Sequence, residues 1–329
     1  MMNNILFIGF GSITIKHLNN VNRLNKKSHF YILSKKKNIK LNNVNKNKVT
    51  FIENLKSINK IKISYILICN GSNGHLKYLN LLKNISKKIF IEKPISNNFS
   101  KLNKISIKNF KSHKIQIGYN FFFLKILKFI KEYFKNSNEK IQKVSVKAGY
   151  YLPYWRKDLN YHNSVTANKK LGGGVLLELS HEISYILWLL GRPKTVSGFI
   201  TKNSKLKIDT EDTALINFEY KNFNCSFDLD IISKYYDRYC KIDTDKHSYI
   251  WNYKDNSFIK KNGNITKKIY SKKFDLNESY LDEIKYFLSS KRNFSDLIFK
   301  NSIDTLKVID EVKKSSKQNG IRLKIKYDK

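Results

Sequence analysis

Glu178, His181 and Ser184 recur every three residues in a segment of helical periodicity, with Tyr185 beside them. A carboxylate one helical turn from an imidazole orients the ring and raises its basicity, giving a general base or acid. The same spacing also occurs on idle helix faces, so both readings stay open at this point. Lys93 is a second candidate. It stands in Glu92-Lys93-Pro94, just after the short apolar run Ile89-Phe90-Ile91. A lysine partly desolvated beside a carboxylate can donate a proton or polarise a hydroxyl, although this chain is crowded with lysines. The third group is Gly9-Phe10-Gly11-Ser12-Ile13, which follows Ile5-Leu6-Phe7-Ile8. A strand, a glycine turn and a helix leave backbone N–H groups at the helix start, where a pyrophosphate can sit. Thr14 stands where a third glycine would bring helix and strand together, so the turn alone is equally a structural one.

These groups need elements to hold them. Over the first 120 residues, short apolar runs alternate with helix-like stretches: Phe30–Leu33, Val49–Ile52, Tyr65–Ile68, Ile89–Ile91 and Ile115–Gly118. The pattern predicts a parallel, doubly wound sheet, whose ligands bind at the carboxyl edge. Leu76, Leu79, Leu82 and Ile85 predict one face of a helix after the turn Cys69–Gly74. Beyond a helix around Ile126–Tyr133 the period changes. Gln142, Val144, Val146, Ala148 and Tyr150 alternate with polar residues, as do Ala214–Phe218, Phe223–Leu229, Tyr249–Tyr253 and Phe258–Lys260. This predicts a largely antiparallel sheet with one wet face. Gly172-Gly173-Gly174 opens a predicted single helix with the stripe Leu176, Leu179, Ile183, Ile186, Leu187 and Leu190, closed by Gly191. Two late helices, around Ser279–Ser289 and Ser302–Lys317, precede a final strand Ile321–Ile325. The expected class is α/β, with a dinucleotide-binding domain over 1–120 and an α+β domain over 121–329 for substrate binding and oligomerisation.

Composition invites a different conclusion. A net charge of +37 in 329 residues suggests a nucleic-acid or membrane partner. Yet only six of the 63 basic residues are arginine, and the lysines are scattered. Dedicated nucleic-acid surfaces favour the planar arginine fork, so no nucleic-acid partner is expected. Three separated cysteines, Cys69, Cys225 and Cys240, have no metal-ligand spacing, so no metal is expected. The absence of a membrane-length apolar run and of a basic leader leads to a cytoplasmic expectation.

In this order, the motifs resemble the glucose–fructose oxidoreductase/inositol dehydrogenase (Gfo/Idh/MocA) family. The segments that carry the resemblance are IGFGSITIKHL (8–18), NGSNGH (70–75), IEKPIS (91–96), GYN (118–120), LGGGVLLELSHEISYILWLLG (171–191) and Thr210–Ala214. The stretch Tyr151–Tyr161 looks like a branch often associated with bacterial surface-sugar biosynthesis. The resemblance implies a Rossmann domain for NAD(P) and a C-terminal sheet whose open face joins subunits into a homo-oligomer, a dimer or tetramer. It further implies Lys93 as the lysine touching both substrate and cofactor, His181 as the catalytic histidine, and Glu178 as its acidic partner. Gly9, Gly11, Ser12, Ile13, Cys69, Asn70, Ser72, His75, Glu92 and Asn120 are implied along the cofactor, and Trp155, Arg156 and Tyr161 with His181 along the substrate.

The chain departs from the family pattern at Thr14, at Gly71 in place of proline, at Ser184 in place of aspartate, and at Phe121-Phe122-Phe123 in place of a polar stretch. The expected activity is hydride transfer between a nicotinamide cofactor and a hydroxyl or ketone of a sugar or nucleotide-linked sugar. The alternative is a binding protein of the same fold that has lost turnover. The second strand ends Leu33-Ser34-Lys35-Lys36-Lys37, without the carboxylate that binds an NAD ribose. Ser34, Lys35 and Lys36 therefore favour the 2′-phosphate of NADP.

Overall fold

The computed structural model describes residues 3–35, 44–86, 88–104, 115–155, 160–273, 275–289 and 293–327. The chain divides into two units, one of Met1–Phe123 with Leu276–Ile303, the other of Leu124–Asp275 with Asp304–Lys329.

In the first unit β1 (Asn4–Ile8), α1 (Ser12–Leu24), β2 (His29–Leu33), β3 (Val49–Ile52), β4 (Tyr65–Ile68), α2 (His75–Leu82), β5 (Lys88–Glu92), α3 (Phe99–Lys104) and β6 (Ile115–Gly118) follow in order. The six strands are all parallel, in the spatial order β3-β2-β1-β4-β5-β6. Ile5, Leu6, Phe7 and Ile8 are buried on both faces, which is why the central strand reads as an unbroken apolar run. The chain reverses direction across this sheet between β1 and β4, and such a switch point opens a crevice at the carboxyl edge.

Helix α2 ends at Leu82, and Ile85 is exposed beyond it, so the predicted apolar face is one turn too long.

The second unit contains α4 (Lys125–Lys135), β7 (Ile141–Tyr151), α5 (Leu152–Trp155), α6 (Val175–Glu178), α7 (Ser180–Leu190), β8 (Thr195–Thr201), β9 (Thr213–Glu219), β10 (Asn224–Asp230), β11 (Ile232–Thr244), β12 (Ser248–Asn252), β13 (Ser257–Asn262) and β14 (Ile265–Ser271). Helix α8 (Leu276–Leu288) returns to the first unit, α9 (Asn293–Lys317) runs through the division, and β15 (Leu323–Lys324) closes the second. The nine-stranded sheet, ordered β14-β13-β12-β11-β7-β10-β9-β8-β15, is antiparallel except for the β7–β10 pair. Val144, Val146 and Ala148 are buried on its inner face while Lys143, Ser145 and Lys147 alternate outward, as the period of two requires.

Where the sequence suggested one cut after residue 120, α8 packs back on the first sheet. The Phe287 ring lies 5.5 Å from both Phe90 and Tyr65 in edge-on contact. Removing such a buried ring costs about 3–5 kcal/mol. The sequence reading omitted β8, β11 and β14, and the predicted last strand shrinks to two residues.

Candidate functional site

In the first unit the glycine turn sits at the switch point. Gly9 has φ +90°, and a Cβ there would come within 2.9 Å of the Asn70 backbone, so both conformation and space exclude a side chain. A Cβ at Gly11 would meet nothing within 4 Å. The protein itself does not need glycine at that position; a group approaching the backbone would. Ser12 is exposed and Ile13 half-buried in the first turn of α1, which has no capping side chain and no acidic residue. That leaves donors and the positive end of a 13-residue helix beside the open space. Thr14 does not disturb the turn: it is buried, and its hydroxyl donates to the Gly9 carbonyl at 3.1 Å.

Two loops follow the neighbouring strands. After β4, Cys69 is buried and its amide donates to the Ile8 carbonyl at 2.9 Å. Burial, with the Glu92 charge, pushes its thiol well above the usual range, so it is inert. Ser72 is also buried. The His75 ring holds the two loops together: Nε2 lies 2.8 Å from the Asn70 carbonyl oxygen and Nδ1 2.9 Å from that of Pro94. Burial lowers its pKa more than these carbonyls and Glu92 raise it. A neutral imidazole has one N–H and donates to one carbonyl at a time. His75, expected along the cofactor, lies between the backbone carbonyls of both loops. After β5, Glu92 lies 2.5 Å from Nε2 of the fully buried His17 and accepts the Lys93 amide at 3.2 Å. The Lys93 side chain is half-buried. Asn120 is buried, its Nδ2 donating to Ser279 Oγ at 2.9 Å, so α8 sets its orientation. Ser34 is half-buried and Lys35 exposed at the end of β2, while Lys36 and Lys37 lie outside the described residues.

Sequence reasoning missed Glu283, which is fully buried on α8. Burial, with the Glu92 charge, pushes its carboxyl well above the usual range and keeps it neutral. The available signal was a glutamate inside the apolar stripe of Ile284 and Phe287.

In the second unit the glycine triplet is required by contact. A Cβ at Gly173 would overlap the Val165 and Thr166 carbonyls; at Gly174, where φ is +107°, it would overlap the Glu211 carboxylate. The single helix predicted from Gly174 to Leu190 is two helices, because Leu179 leaves helical geometry at φ −92°, ψ 26°. Glu178 therefore ends α6, where its Oε2 accepts from Thr166 Oγ1 at 2.9 Å, while His181 begins α7 and is 8% exposed. Glu178 and His181 thus lie on separate helices, not on the one continuous face expected with Ser184. Ser184 is buried. The neighbouring Glu182 has no exposure and accepts from Arg238 Nε at 2.6 Å, fastening α7 to β11. Burial opposes the Arg238 charge, but Glu182, with Tyr236 and Tyr253, outweighs it and holds the guanidinium firmly protonated. Neither residue of this pair was a sequence candidate. Trp155 is exposed with its ring 4.7 Å from Tyr150, and Tyr161 is half-buried with its hydroxyl accepting the Lys207 amide at 3.4 Å. Arg156 lies outside the described residues.

A depression on the sheet, lined by Tyr239, Lys241, Ser248, Ile250, Lys261 and Gly263, includes none of the expected residues. Among the described residues no group of histidine, cysteine or acidic side chains has metal-binding geometry, and no helix is long and apolar enough to cross a membrane.

Comparison with known proteins gives this arrangement a family. Residues 3–121 match the oxidoreductase family with an NAD-binding Rossmann fold, and residues 140–250 match the GFO/IDH/MocA C-terminal domain. No curated protein matches the sequence. Among solved structures the fold is similar to levoglucosan dehydrogenase in complex with NADH, at 13% identity, covering 100% of both chains, with a TM-score of 0.82. It is also similar to an NAD-binding oxidoreductase from Klebsiella pneumoniae, at 12% identity, covering 100% of both, TM-score 0.80. The WlbA dehydrogenase from Bordetella pertussis, in complex with NADH and UDP-GlcNAcA, matches at 11% identity over 100% of both, TM-score 0.75. With an NAD-binding Rossmann domain followed by the characteristic C-terminal domain, this chain belongs to the Gfo/Idh/MocA family of oxidoreductases.

Proposed function

We propose that this protein is an NAD(P)-dependent oxidoreductase acting on the hydroxyl or ketone of a sugar or nucleotide-linked sugar, in the making of surface-polysaccharide sugars. The observation that carries the cofactor half is the open space over Gly11 at the uncapped start of α1. The nicotinamide, when bound, accepts or donates the hydride. The chain's own residues do the rest. Gly9 and Gly11 let the pyrophosphate reach the backbone, with Ser12 and Ile13 supplying N–H groups. Loop residues 69–75 and Asn120 lie along the cofactor, with His75 and Ser279 fixing their backbone and side chain. Lys93, set by the Glu92 carboxylate on its own amide, holds and polarises the reacting oxygen. His181 exchanges the hydroxyl proton, with Glu178 supporting its basicity.

Ser34 and Lys35 favour NADP, because a 2′-phosphate finds cations there and an NAD ribose finds no carboxylate. The wet face of the second sheet carries the subunit interface: Phe199 and Leu215, opposite one another on β8 and β9, are 53% and 51% exposed. The test is calorimetry with NADPH and NADH, followed by turnover against sugars and nucleotide sugars, read from the absorbance of the reduced nicotinamide. Tighter NADPH binding, and turnover lowered by about 10²–10⁴-fold in His181→Asn, are expected. Failure to bind either dinucleotide overturns the reading. Binding with no turnover of any sugar selects the alternative, a binding protein of the same fold.

A further inference from the structure

The pairing of β11 with β7 contains an irregularity that the proposed reaction does not use. Ile232 pairs with Tyr151 and Asp237 with Gly149, so four residues, Ser233–Tyr236, stand against Tyr150 alone. Bulges of this kind re-aim side chains and collect next to active sites. This one is specified by its neighbours. Asp230 Oδ1 accepts the amides of Ile232 and Ser233 at 3.0 and 2.7 Å. Its Oδ2 accepts from Ser233 Oγ and Lys147 Nζ, both at 2.8 Å. Gly149 makes room, since a Cβ there would come within 2.8 Å of Asp230 Oδ2.

The bulge and the adjoining α5 display most of the exposed aromatic surface. Among the described residues the strongly exposed aromatic side chains are Tyr154, Trp155, Phe199, Tyr235 and Tyr236, and all but Phe199 lie here. The Tyr151 and Tyr154 rings stand edge to face at 4.7 Å. Lys234 Nζ lies 3.0 Å from the Tyr151 ring centroid and 5.7 Å from that of Tyr154. Lys254 Nζ also lies 5.9 Å from the Tyr235 ring, so an anion here would meet Lys234 and Lys254. The patch is also tied to the catalytic helix. Arg238, two residues past Tyr236, covers the Tyr253 ring at 4.9 Å and holds Glu182, the residue next to His181.

We infer that this bulge is a saccharide subsite for an acidic sugar, a glycosyl unit carrying a phosphate or carboxylate. The aromatic faces carry the negative end of a ring quadrupole, and the C–H face of a pyranose packs on them. Lys234, already placed over those faces, pairs with the acidic group. The choice of a sugar rests on the function proposed above, but the subsite is tested by binding alone.

The full-length chain is titrated with glucose, glucuronate, glucose 6-phosphate and inorganic phosphate, following tryptophan fluorescence and calorimetric heat. At least one acidic sugar is expected to bind about tenfold or more tighter than glucose, and more tightly than inorganic phosphate, at low salt. Which acidic sugar prevails distinguishes a carboxylate from a phosphate source. Lys234→Met is expected to abolish the preference with the melting temperature unchanged, and Tyr154→Ala to weaken every sugar by about threefold to tenfold. Equal affinity for glucose and both acidic sugars, or a preference that survives Lys234→Met, overturns the subsite. So does a change of oligomeric state in either variant without a change in sugar binding, which would make the patch an interface with a second copy. NADPH binding in the same samples keeps the two readings apart. In the unsubstituted chain, no discrimination among the sugars with cofactor binding intact rejects only the subsite, and the reverse rejects only the oxidoreductase.

Discussion

The two units bury their ionisable groups in opposite ways. In the first, Glu92 and Glu283 lie buried close enough to repel, and among the described residues His17 contacts Glu92 while neither Glu283 carboxyl oxygen has a partner. In the second, Arg238 meets Glu182 and Lys147 meets Asp230, while the fully buried Asp212 is held by amide and hydroxyl donors of Asn203 and Ser204. A carboxyl kept neutral by burial opposes folding as pH rises. A carboxylate kept charged by its partners opposes folding as pH falls. The first unit thus buries one carboxyl beside another, and the second uses matched charge between Arg238 and Glu182 to hold the helix bearing His181.

The largest expected effect separates the units by role. His181→Asn should lower turnover by about 10²–10⁴-fold and leave the dissociation constant for NADPH unchanged. His75→Ala should do the reverse, weakening NADPH binding, because it removes the ring between the Asn70 and Pro94 carbonyls without touching His181. Steady-state rates and calorimetry on both variants check the contrast, and a His75 variant with normal cofactor affinity would break it.

Next is the buried pair. Arg238→Met should destabilise the protein by about 3–5 kcal/mol, because it strands the unexposed Glu182. Arg238→Met combined with Glu182→Met should recover most of that loss in chemical denaturation. A single variant of near-normal stability would show that matched charge does not organise this unit.

Glu139 gives the smaller, pH-resolved form of the same test. It accepts from His247, Tyr249 and Thr244, and although burial pushes its pKa up, these bonds and the His247 charge outweigh it and hold the value at about 2. The folded value is depressed, so the stabilisation is full above about 4.5 and fades as pH falls toward about 2. Glu139→Gln should lower stability at neutral pH by about 1.5–3 kcal/mol, and the difference should vanish in acid.

Glu283 should show the opposite sign, with an effect that is absent near pH 4.5 and grows above it. Its folded pKa is raised by burial and by Glu92, so the unfolded chain alone ionises once pH passes about 4.5, and the folded state loses ground from there upward. Glu283→Gln should gain on the parent protein as pH rises, by at most about 1.4 kcal/mol per pH unit, measured as the urea midpoint at successive pH values. A constant difference across that range would erase the contrast between the units.

The sequence by itself determined the parts that depend on short-range physics. The Gly9 turn was readable because a positive φ and a tight approach exclude a side chain there. The strands of both sheets whose periods run unbroken were readable because burial alternates, or saturates, along the chain itself. His181 and Lys93 were singled out by residue type and by place in these elements. Only the tertiary structure decided the rest, because it turns on pairings between distant residues. The break at Leu179 and the glycine triplet beside it depend on packing against Thr166 and Glu211, which the helical period around Glu178 does not show. Strand β11 was missed because its alternation is interrupted by four bulged residues, pinned by Asp230 and Gly149 from two other strands. Helix α8 is amphipathic in any context. That its Glu283 carboxyl is pushed up follows first from its burial and then from the charge of Glu92, nearly two hundred residues earlier.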